Sequence, residues 1–182
     1  MDNRIETLTS LDVKERMESG THIAVLPVGA VEQHGPHGPL GTDGFIAREI
    51  SQGVATRLNA LCLPPIWFGI SPHHMNFAGS LTVTPRVFTA YLEDIIESLA
   101  AQNFDTILVL NGHGGNTGAI NNALVAARSR QSHMFLAQSS VWLALSDVYE
   151  SLPPEVKQDS WRTMISHGGL FETSVVMAVD EG

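Results

Sequence analysis

The sequence predicts an α/β protein, a three-layer α/β/α sandwich with a mostly parallel central sheet. Short apolar runs typical of buried strands recur along the chain, and segments with helical spacing of apolar residues separate them. This alternation of strand and helix favours parallel strands with helices on both faces. The length of 182 residues is sufficient for one hydrophobic core, and no linker or repeat divides it, so we expect a single domain over residues 1–182.

The first half of the chain contains two predicted helices and two predicted strands. A short helix is expected after Ser10, and the run IAVLPV at Ile23–Val28 is short, wholly apolar and followed by Gly29, as in a buried strand. Residues 43–60 have the spacing of an amphipathic helix. A second short strand is expected at residues 61–63.

A long irregular segment follows at residues 67–83, where Gly, Pro, Ser, His and Asn predominate and no periodicity is visible. We expect a loop here, lying over a functional site. Thr84 followed by Pro85 is a typical helix start, because Thr caps the first turn and Pro tolerates its first position. The helix should continue to about Gln102.

The remaining predicted elements complete the alternating pattern. TILVLN at Thr106–Asn111 is a further buried strand, Thr117–Arg130 a helix and residues 134–138 a strand. In open parallel sheets, sites form at the carboxyl ends of the strands. The two segments richest in polar residues begin at such ends.

The composition restricts the classes of partner. The net charge of −9, without any Lys/Arg cluster, argues against binding to nucleic acids or anionic membranes. The single cysteine, Cys62, cannot form an internal disulfide bond. The first ten residues contain no apolar leader, and no apolar stretch approaches the roughly 18 residues of a membrane span. We therefore expect a cytoplasmic protein.

The first polar segment, VGAVEQHGPHGPLGTDG, runs from Val28 to Gly44. Glu32 and His34 are two residues apart, so in extended backbone their side chains point the same way. A Gly/Pro-rich turn could return Asp43 to them, and one His with two carboxylates suits a zinc or manganese ion. Taken singly, Glu32 could be a surface carboxylate, and Thr42 or Asp43 could cap the next helix.

The second polar segment, LVLNGHGGNTG, also joins a buried strand to a helix and places His113 at the strand's end. A phosphate-binding loop is the alternative interpretation. The spacing of Gly112, Gly114 and Gly118 misses the dinucleotide pattern by one residue, and no Lys follows as a P-loop requires. This alternative is therefore weaker.

The third polar segment, ISHGGLFETS, places His167 before a predicted helix and Glu172 within its first turns. A Glu near a helix N-terminus also favours the helix dipole, so the residue has an ordinary structural explanation. The functional interpretation depends on the other two segments.

Together, EQHGPHGPLGTD, NGHGGN and HGGLFETS resemble the signature segments of the creatininase-like amidohydrolase family in order and spacing. The resemblance implies a creatininase-like sandwich and two divalent ions, with zinc expected and manganese or iron as alternatives. It assigns ligand positions to Glu32, His34, Asp43 and His113, with Asp43 bridging both ions.

The chain departs from true creatininases at one ligand. Those proteins resemble one another in an NGHYEN segment, whose Glu binds metal, whereas this chain reads NGHGGN with Gly115 at that place. It resembles instead the branch whose last ligand comes from the ETS segment, here Glu172. Creatinine is therefore not the expected substrate. His167 matches the family's histidine that transfers protons near the metal-activated water.

The reaction that the resemblance implies is hydrolysis of a carbon–nitrogen bond other than a peptide bond, through a hydroxide that bridges two metal ions. A small amide, formamide or lactam is the expected substrate class. A metal-dependent hydrolase of lactones or cyclic sugar-derived ketones is one alternative. A non-catalytic metal- or sugar-binding α/β protein is another.

Four residues are expected to contact the substrate: His37, Trp67, His74 and Gly114. Trp67 could equally belong to the core, and His37 could instead be a loop residue or support the ligands. The resemblance also implies a homo-oligomer. Family members continue beyond residue 182, so the chain is either a short member or lacks a C-terminal part.

Overall fold

The computed structural model describes residues 2–143, 145–155, 157 and 164–179. In this part of the chain, four parallel strands form a sheet in the order β2-β1-β3-β4. The strands are β1 (Ile23–Val28), β2 (Leu61–Cys62), β3 (Thr106–Asn111) and β4 (Phe135–Ser140). The predicted parallel sheet is therefore confirmed.

Six helices are described, together with three short 3-10 turns. The helices are α1 (Ser10–Glu18), α2 (Thr42–Leu58), α3 (Pro85–Ala101), α4 (Thr117–Arg130), α5 (Leu145–Ser151) and α6 (Leu170–Val179). The turns are Ile5–Thr7, Pro72–His74 and Gly114–Asn116. Among the described helices, none has both the length and the apolar character that a membrane crossing requires.

Helices cover both faces of the sheet, as a three-layer sandwich requires. Alternate residues of β1 point to opposite faces, so Leu26 belongs to the larger core with α3 and α4, whereas Val25 packs with Ala55 of α2. In the larger core Phe88 of α3 and Ile120 of α4 are almost completely buried. Strand β1 is apolar on both sides because both sides are covered.

The element boundaries differ from the predicted ones by a few residues, each for a local reason. Helix α2 ends at Leu58 because Asn59 adopts a left-handed conformation, with φ of 51°, and stops the helix. Strand β4 continues to Ser140 because that residue still pairs with Asn111 at the end of β3. The segment at residues 67–83 is irregular apart from one 3-10 turn.

The strand order reverses between β1 and β3. The chain passes from β1 to β2 on one side, whereas β3 and β4 lie on the other side of β1. The loops after β1 and β3 therefore leave the sheet side by side, with Val28 paired to Asn111 at the strand ends. Such a reversal opens a crevice at the carboxyl edge of a parallel sheet, where ligands typically bind.

Candidate metal centre

Two glycines allow the start of α2 to pack directly onto the ends of β1 and β3. A Cβ atom at Gly29 would overlap the backbone of Asp43 and Gly44, and one at Gly112 would overlap the carbonyl oxygen of Asp43. Only glycine permits so close an approach of two backbones. As a result, Asp43 lies in the crevice between the loops that follow the two strands.

Asp43 shares its two carboxylate oxygens between two groups of side chains. Its Oδ2 lies 3.1 Å from Nδ1 of His113, and that nitrogen lies 3.2 Å from Oε1 of Glu32. Its Oδ1 lies 3.2 Å from Nε2 of His34, which lies 3.6 Å from Oε2 of Glu172. We call Glu32, Asp43 and His113 the first donor set, and His34, Asp43 and Glu172 the second donor set.

Backbone carbonyls orient the two histidines of the donor sets. Nδ1 of His34 is 3.1 Å from the carbonyl oxygen of Glu32, and Nε2 of His113 is 3.0 Å from that of Ile70. Because a carbonyl can only accept, each of these nitrogens carries the proton of the neutral ring. The opposite nitrogen of each ring then presents a lone pair to the carboxylates, as in histidines that bind metals.

The unpaired carboxylate oxygens indicate what the donor sets accommodate. Oε2 of Glu32 and Oδ2 of Asp43 are buried and accept no hydrogen bond. Three carboxyl groups are buried here beside two imidazoles. If both imidazoles are neutral, as metal binding requires, the buried negative charge lacks compensation, which is costly in a protein interior. Oxygen and imidazole donors of this kind suit zinc, manganese or iron, so the residues present fit a pair of divalent ions.

The pKa values of these groups depart from their ordinary values because the groups are buried close together. Burial opposes the charge of Glu32, but hydrogen bonds from His113 and Ser71 outweigh it and lower the pKa of Glu32 to about 2. Burial also opposes protonation of His113, yet Asp43 and Glu32 raise its pKa to about 10. Burial, reinforced by the charges of Asp43 and Glu32, raises the pKa of Glu172 to about 7. A divalent cation would displace the protons that this cluster otherwise attracts.

His167 lies beside the donor sets with a defined tautomer. Its Nε2 is 2.6 Å from the carbonyl oxygen of Gln33, so this nitrogen donates the hydrogen bond. Its Nδ1 is free to accept and lies 3.6 Å from Oε1 of Glu32. The ring centroid is 4.3 Å from that of His34, and the side chain is 38% exposed. A basic nitrogen therefore faces the donor sets from a position that solvent can reach.

His74 and His37 occupy supporting positions around the centre. His74 stacks on His167 with the ring centroids 4.6 Å apart, and its Nε2 lies 3.8 Å from Oε1 of Glu32. The side-chain amide of Gln33 lies 3.1 Å from Nδ1 of His74. His37 contacts the turn before α6, where its Nε2 is 3.0 Å from the carbonyl oxygen of Gly168. A substrate role for His74 or His37 stays a prediction.

A cavity of about 170 Å³ opens at the donor sets. Its lining residues are Glu32, Asp43, Gly112, His113, Gly114, Trp142, Ile165, His167 and Glu172. Gly114 has open space where a side chain would be, and its contact with substrate stays a prediction.

Trp67 is not among the residues that line this cavity, and its expected contact with the substrate stays a prediction. Its ring packs edge-on against Phe45, with centroids 5.3 Å apart, and covers Gly41 and Gly44 at the start of α2. There it lines a separate apolar pocket with Phe68 and Tyr91. The alternative interpretation of Trp67 as a packing residue fits its position better.

Sequence reasoning missed two apolar residues that line the cavity, Trp142 and Ile165. Trp142 follows the carboxyl end of β4, the edge of the sheet at which the other site residues were sought. The strand-end rule could therefore have identified it. Ile165 precedes the HGG segment, and no periodicity marks it.

Gly115, which stands in the NGHGGN segment where true creatininases carry a Glu, is closely packed in this structure. A Cβ atom at this position would overlap the carbonyl oxygen of Ile70 and Nε2 of His113. Any side chain here would therefore displace the hydrogen bond that orients His113. Glu172, which belongs to α6, supplies a carboxylate to the second donor set.

Comparison with known proteins gives a consistent family relationship. A family model described as creatinine amidohydrolase (Creatininase) matches residues 6–182. A 3-dehydro-scyllo-inosose hydrolase from Thermotoga maritima is 33% identical over 110 residues, which are 60% of this chain and 35% of that protein. A mycofactocin precursor peptide peptidase from Mycobacterium tuberculosis is 34% identical over 162 residues, covering 76% of this chain and 62% of that protein. The chain thus spans less than two thirds of the length of these relatives.

Solved structures share the fold that the described residues form. A structure described as "Creatininase Mn" superposes with a TM-score of 0.89 at 27% identity, covering 100% of this chain and 74% of that chain. A mutant creatininase described as Zn-Zn type superposes with a TM-score of 0.84 at 25% identity and the same coverage. Both descriptions name a divalent metal.

Proposed function

The chain belongs to the creatininase family, and from that premise we propose that it is a metal-dependent amidohydrolase acting on a small amide, formamide or lactam. The observation that carries the proposal is the arrangement of two buried donor sets around one shared carboxylate, Asp43. A shared carboxylate between two imidazoles is the arrangement that holds two cations close enough to act on one water molecule.

Two divalent ions are the cofactors that we propose, with zinc first and manganese or iron as alternatives. The first donor set would hold one ion and the second donor set the other. When bound, such ions polarise a carbonyl group and lower the pKa of water to about 7, which supplies hydroxide at neutral pH. The manganese and zinc named for the solved relatives support this choice.

His167 would move the proton in the reaction. Its Nε2–H is held by the carbonyl oxygen of Gln33, which leaves Nδ1 as the atom that faces the donor sets. Nδ1 can take a proton from the attacking water and return it to the leaving nitrogen, a transfer that typically contributes 10²–10⁴-fold to the rate. The stacked ring of His74 restricts the orientation of His167.

The cavity sets limits on the substrate. Its volume of about 170 Å³ admits a small molecule or the end of a larger one. None of its described lining residues is Lys or Arg, and Trp142 and Ile165 provide apolar surface. A substrate with a compact apolar portion therefore fits this cavity.

A second candidate function is supported by one relative. The Thermotoga maritima protein is described as a hydrolase of 3-dehydro-scyllo-inosose, a cyclic ketone. With ions bound, the same donor sets could direct water onto the ketone carbon. The ring C–C bond beside that carbon would then break in place of a C–N bond, giving a ring-opened carboxylic acid, and no nitrogen would leave. This candidate shares the donor sets with the first and differs in its substrate, in the bond that breaks and in its product.

A substrate panel combined with elemental analysis tests both candidates. We expect close to two zinc, manganese or iron ions per chain, as in known two-metal hydrolases, and release of ammonia or amine from a small amide. Activity on lactones or cyclic ketones without amine release would favour the second candidate. Purified protein that binds nucleotide tightly and holds no transition metal would contradict both.

The Asp94→Asn variant serves as the matched control, because Asp94 is an exposed carboxylate on α3. It should retain both ions and full activity. The homo-oligomer and the cytoplasmic location remain part of the proposal, to be tested by light scattering and by fractionation.

A further inference from the structure

His37 is the one histidine of the EQHGPH segment to which the proposed mechanism gives no task. It lies three residues after His34 on the loop that follows β1. Its ring does not reach the donor sets. Instead its Nε2 lies 3.0 Å from the carbonyl oxygen of Gly168, a residue 131 positions later in the chain. The carbonyl accepts, so Nε2 of His37 donates this hydrogen bond.

Gly168 connects His37 to a donor-set residue. Its own N–H donates to Oε2 of Glu172 at 2.6 Å. The residue adopts φ of 65°, a left-handed conformation that favours glycine, and a Cβ atom here would come within 3.4 Å of the carbonyl oxygen of His34. The two peptide groups flanking Gly168 are thus fixed from opposite sides, one by His37 and the other by Glu172.

The oxygen that Gly168 holds is the one that faces the second donor set. Oε2 of Glu172 lies 3.6 Å from Nε2 of His34. The turn at Gly168 continues into α6, since the N–H of Gly169 donates to the carbonyl oxygen of Ser166 at 2.7 Å. Any movement of this turn would therefore move Glu172 relative to His34.

His37 connects two segments of the chain that each carry a residue of the second donor set. His34 belongs to the loop after β1, whereas Glu172 arrives with α6 from the far end of the chain. Their alignment depends on contacts between these two segments. His37 provides one from the same loop as His34, so it couples the positions of the two ligands directly.

We propose that His37 is a positioning residue for the second donor set, acting through the Gly168 turn on the carboxylate of Glu172. The inference rests on the proposed function, because it assumes that the second donor set binds a metal ion. His37 is exposed, so water competes for its hydrogen bond with Gly168. We therefore expect its loss to weaken metal binding by an amount at the lower end of the range known for residues that support metal ligands. Loss of such a partner typically costs 10–100-fold in metal affinity.

The test compares metal affinities of the two donor sets by titration against chelators of graded strength. In His37→Ala, we expect one ion to remain bound as in the wild type and the other to bind roughly 10-fold more weakly. His37→Gln retains a side-chain N–H donor and should restore most of the lost affinity. His133→Ala, which removes an exposed histidine between α4 and β4, should bind both ions normally.

Several results would overturn the inference. His37→Ala could bind both ions with wild-type affinity, or it could bind both ions equally more weakly. His37→Gln could fail to restore the lost metal affinity. Each of these results would contradict a role of His37 in positioning the second donor set. If His37→Ala does not fold, His37→Leu, which also lacks a donor, takes its place. A wild-type protein that binds no metal would overturn the proposed function as well. If the wild type binds two ions and His37→Ala binds both with the same affinity, only this inference is overturned.

Discussion

His34 lies in the loop after β1 and Asp43 in the first turn of α2, yet Oδ1 of Asp43 lies 3.2 Å from Nε2 of His34 in a site that is almost completely buried. The other oxygen of Asp43 lies 3.1 Å from Nδ1 of His113, on the loop after the neighbouring strand. This division of one carboxylate between two histidines is the relationship on which the proposed pair of ions depends. It also means that substitutions can distinguish the loss of one ion from the loss of both.

Replacing Asp43 should remove both ions, because each donor set loses a carboxylate oxygen. Asp43→Ala is expected to purify with little bound metal and no hydrolase activity. Glu172→Gln should instead lose affinity for one ion, since only the second donor set contains Glu172. Elemental analysis after dialysis measures the ratio. Loss of a single ion in Asp43→Ala would argue against a shared carboxylate.

His167→Gln should separate catalysis from metal binding. We expect kcat to fall by about 10²–10⁴-fold because proton transfer at Nδ1 is lost, while the metal content stays at the wild-type level. Steady-state kinetics and elemental analysis of the same preparation give both values. If the variant keeps wild-type kcat, His167 is not the proton-transfer group.

Gly115 and Gly114 form a matched pair for testing the close packing around His113. Gly115→Ala places a Cβ against the carbonyl oxygen of Ile70 and Nε2 of His113, whereas Gly114→Ala meets open space. We expect Gly115→Ala to lower the free energy of unfolding by about 1–3 kcal/mol, the usual cost of overpacking, and to weaken metal binding. Gly114→Ala should leave stability nearly unchanged. Urea unfolding of both variants tests this, and equal stabilities would contradict the packing seen here.

The metal-free protein should show a pH dependence of stability that originates at Glu172. Because the folded protein raises the pKa of this carboxyl from 4.5 to about 7, the folded state holds its proton more tightly than the unfolded state. The contribution of Glu172 to stability is therefore full below pH 4.5 and is lost as the pH rises to about 7.

Glu172→Gln provides the comparison, because its amide does not titrate. In excess chelator, we expect the variant to gain stability relative to the wild type as the pH rises from 4.5 to 7, by up to about 3 kcal/mol. Thermal or urea unfolding at pH 4.5, 6 and 8 measures the difference. A difference that does not vary with pH would show that burial does not raise this pKa.

Much of the fold could be predicted because the strands are buried on both faces. Ile23–Val28 is a continuous apolar run, and Thr106–Asn111 has four successive apolar residues between its terminal Thr and Asn. The structure reproduces both predicted ranges. Element ends were less predictable, since a single left-handed Asn59 ends α2 and strand pairing extends β4. The ends of helices and strands depend on the conformation of single residues and on neighbouring strands, and the pattern of apolar residues along the sequence contains neither.

The candidate site could be predicted in part, and the reason differs among its residues. Glu32, His34 and His113 follow strand ends, where parallel sheets place their sites, so their grouping followed from position. Trp67 shares that polar, glycine-rich setting yet packs against Phe45 outside the cavity. Trp142 lines the cavity although its surroundings in the sequence contain no motif. Aromatic residues serve packing and binding alike, and only their neighbours distinguish the two uses.

The sequence by itself determined which side chains carry the donor atoms and which strands bring their loops to one edge. Tertiary structure decided how those donor atoms are distributed between the first and the second donor set. The close approach of α2 at Gly29 and Gly112 sets the position of Asp43 between two histidines, and the backbone carbonyls of Glu32 and Ile70 select the ring nitrogen that each histidine presents. Both depend on backbone contacts between residues far apart in the chain, and such distances are fixed only when the sheet and its helices pack together.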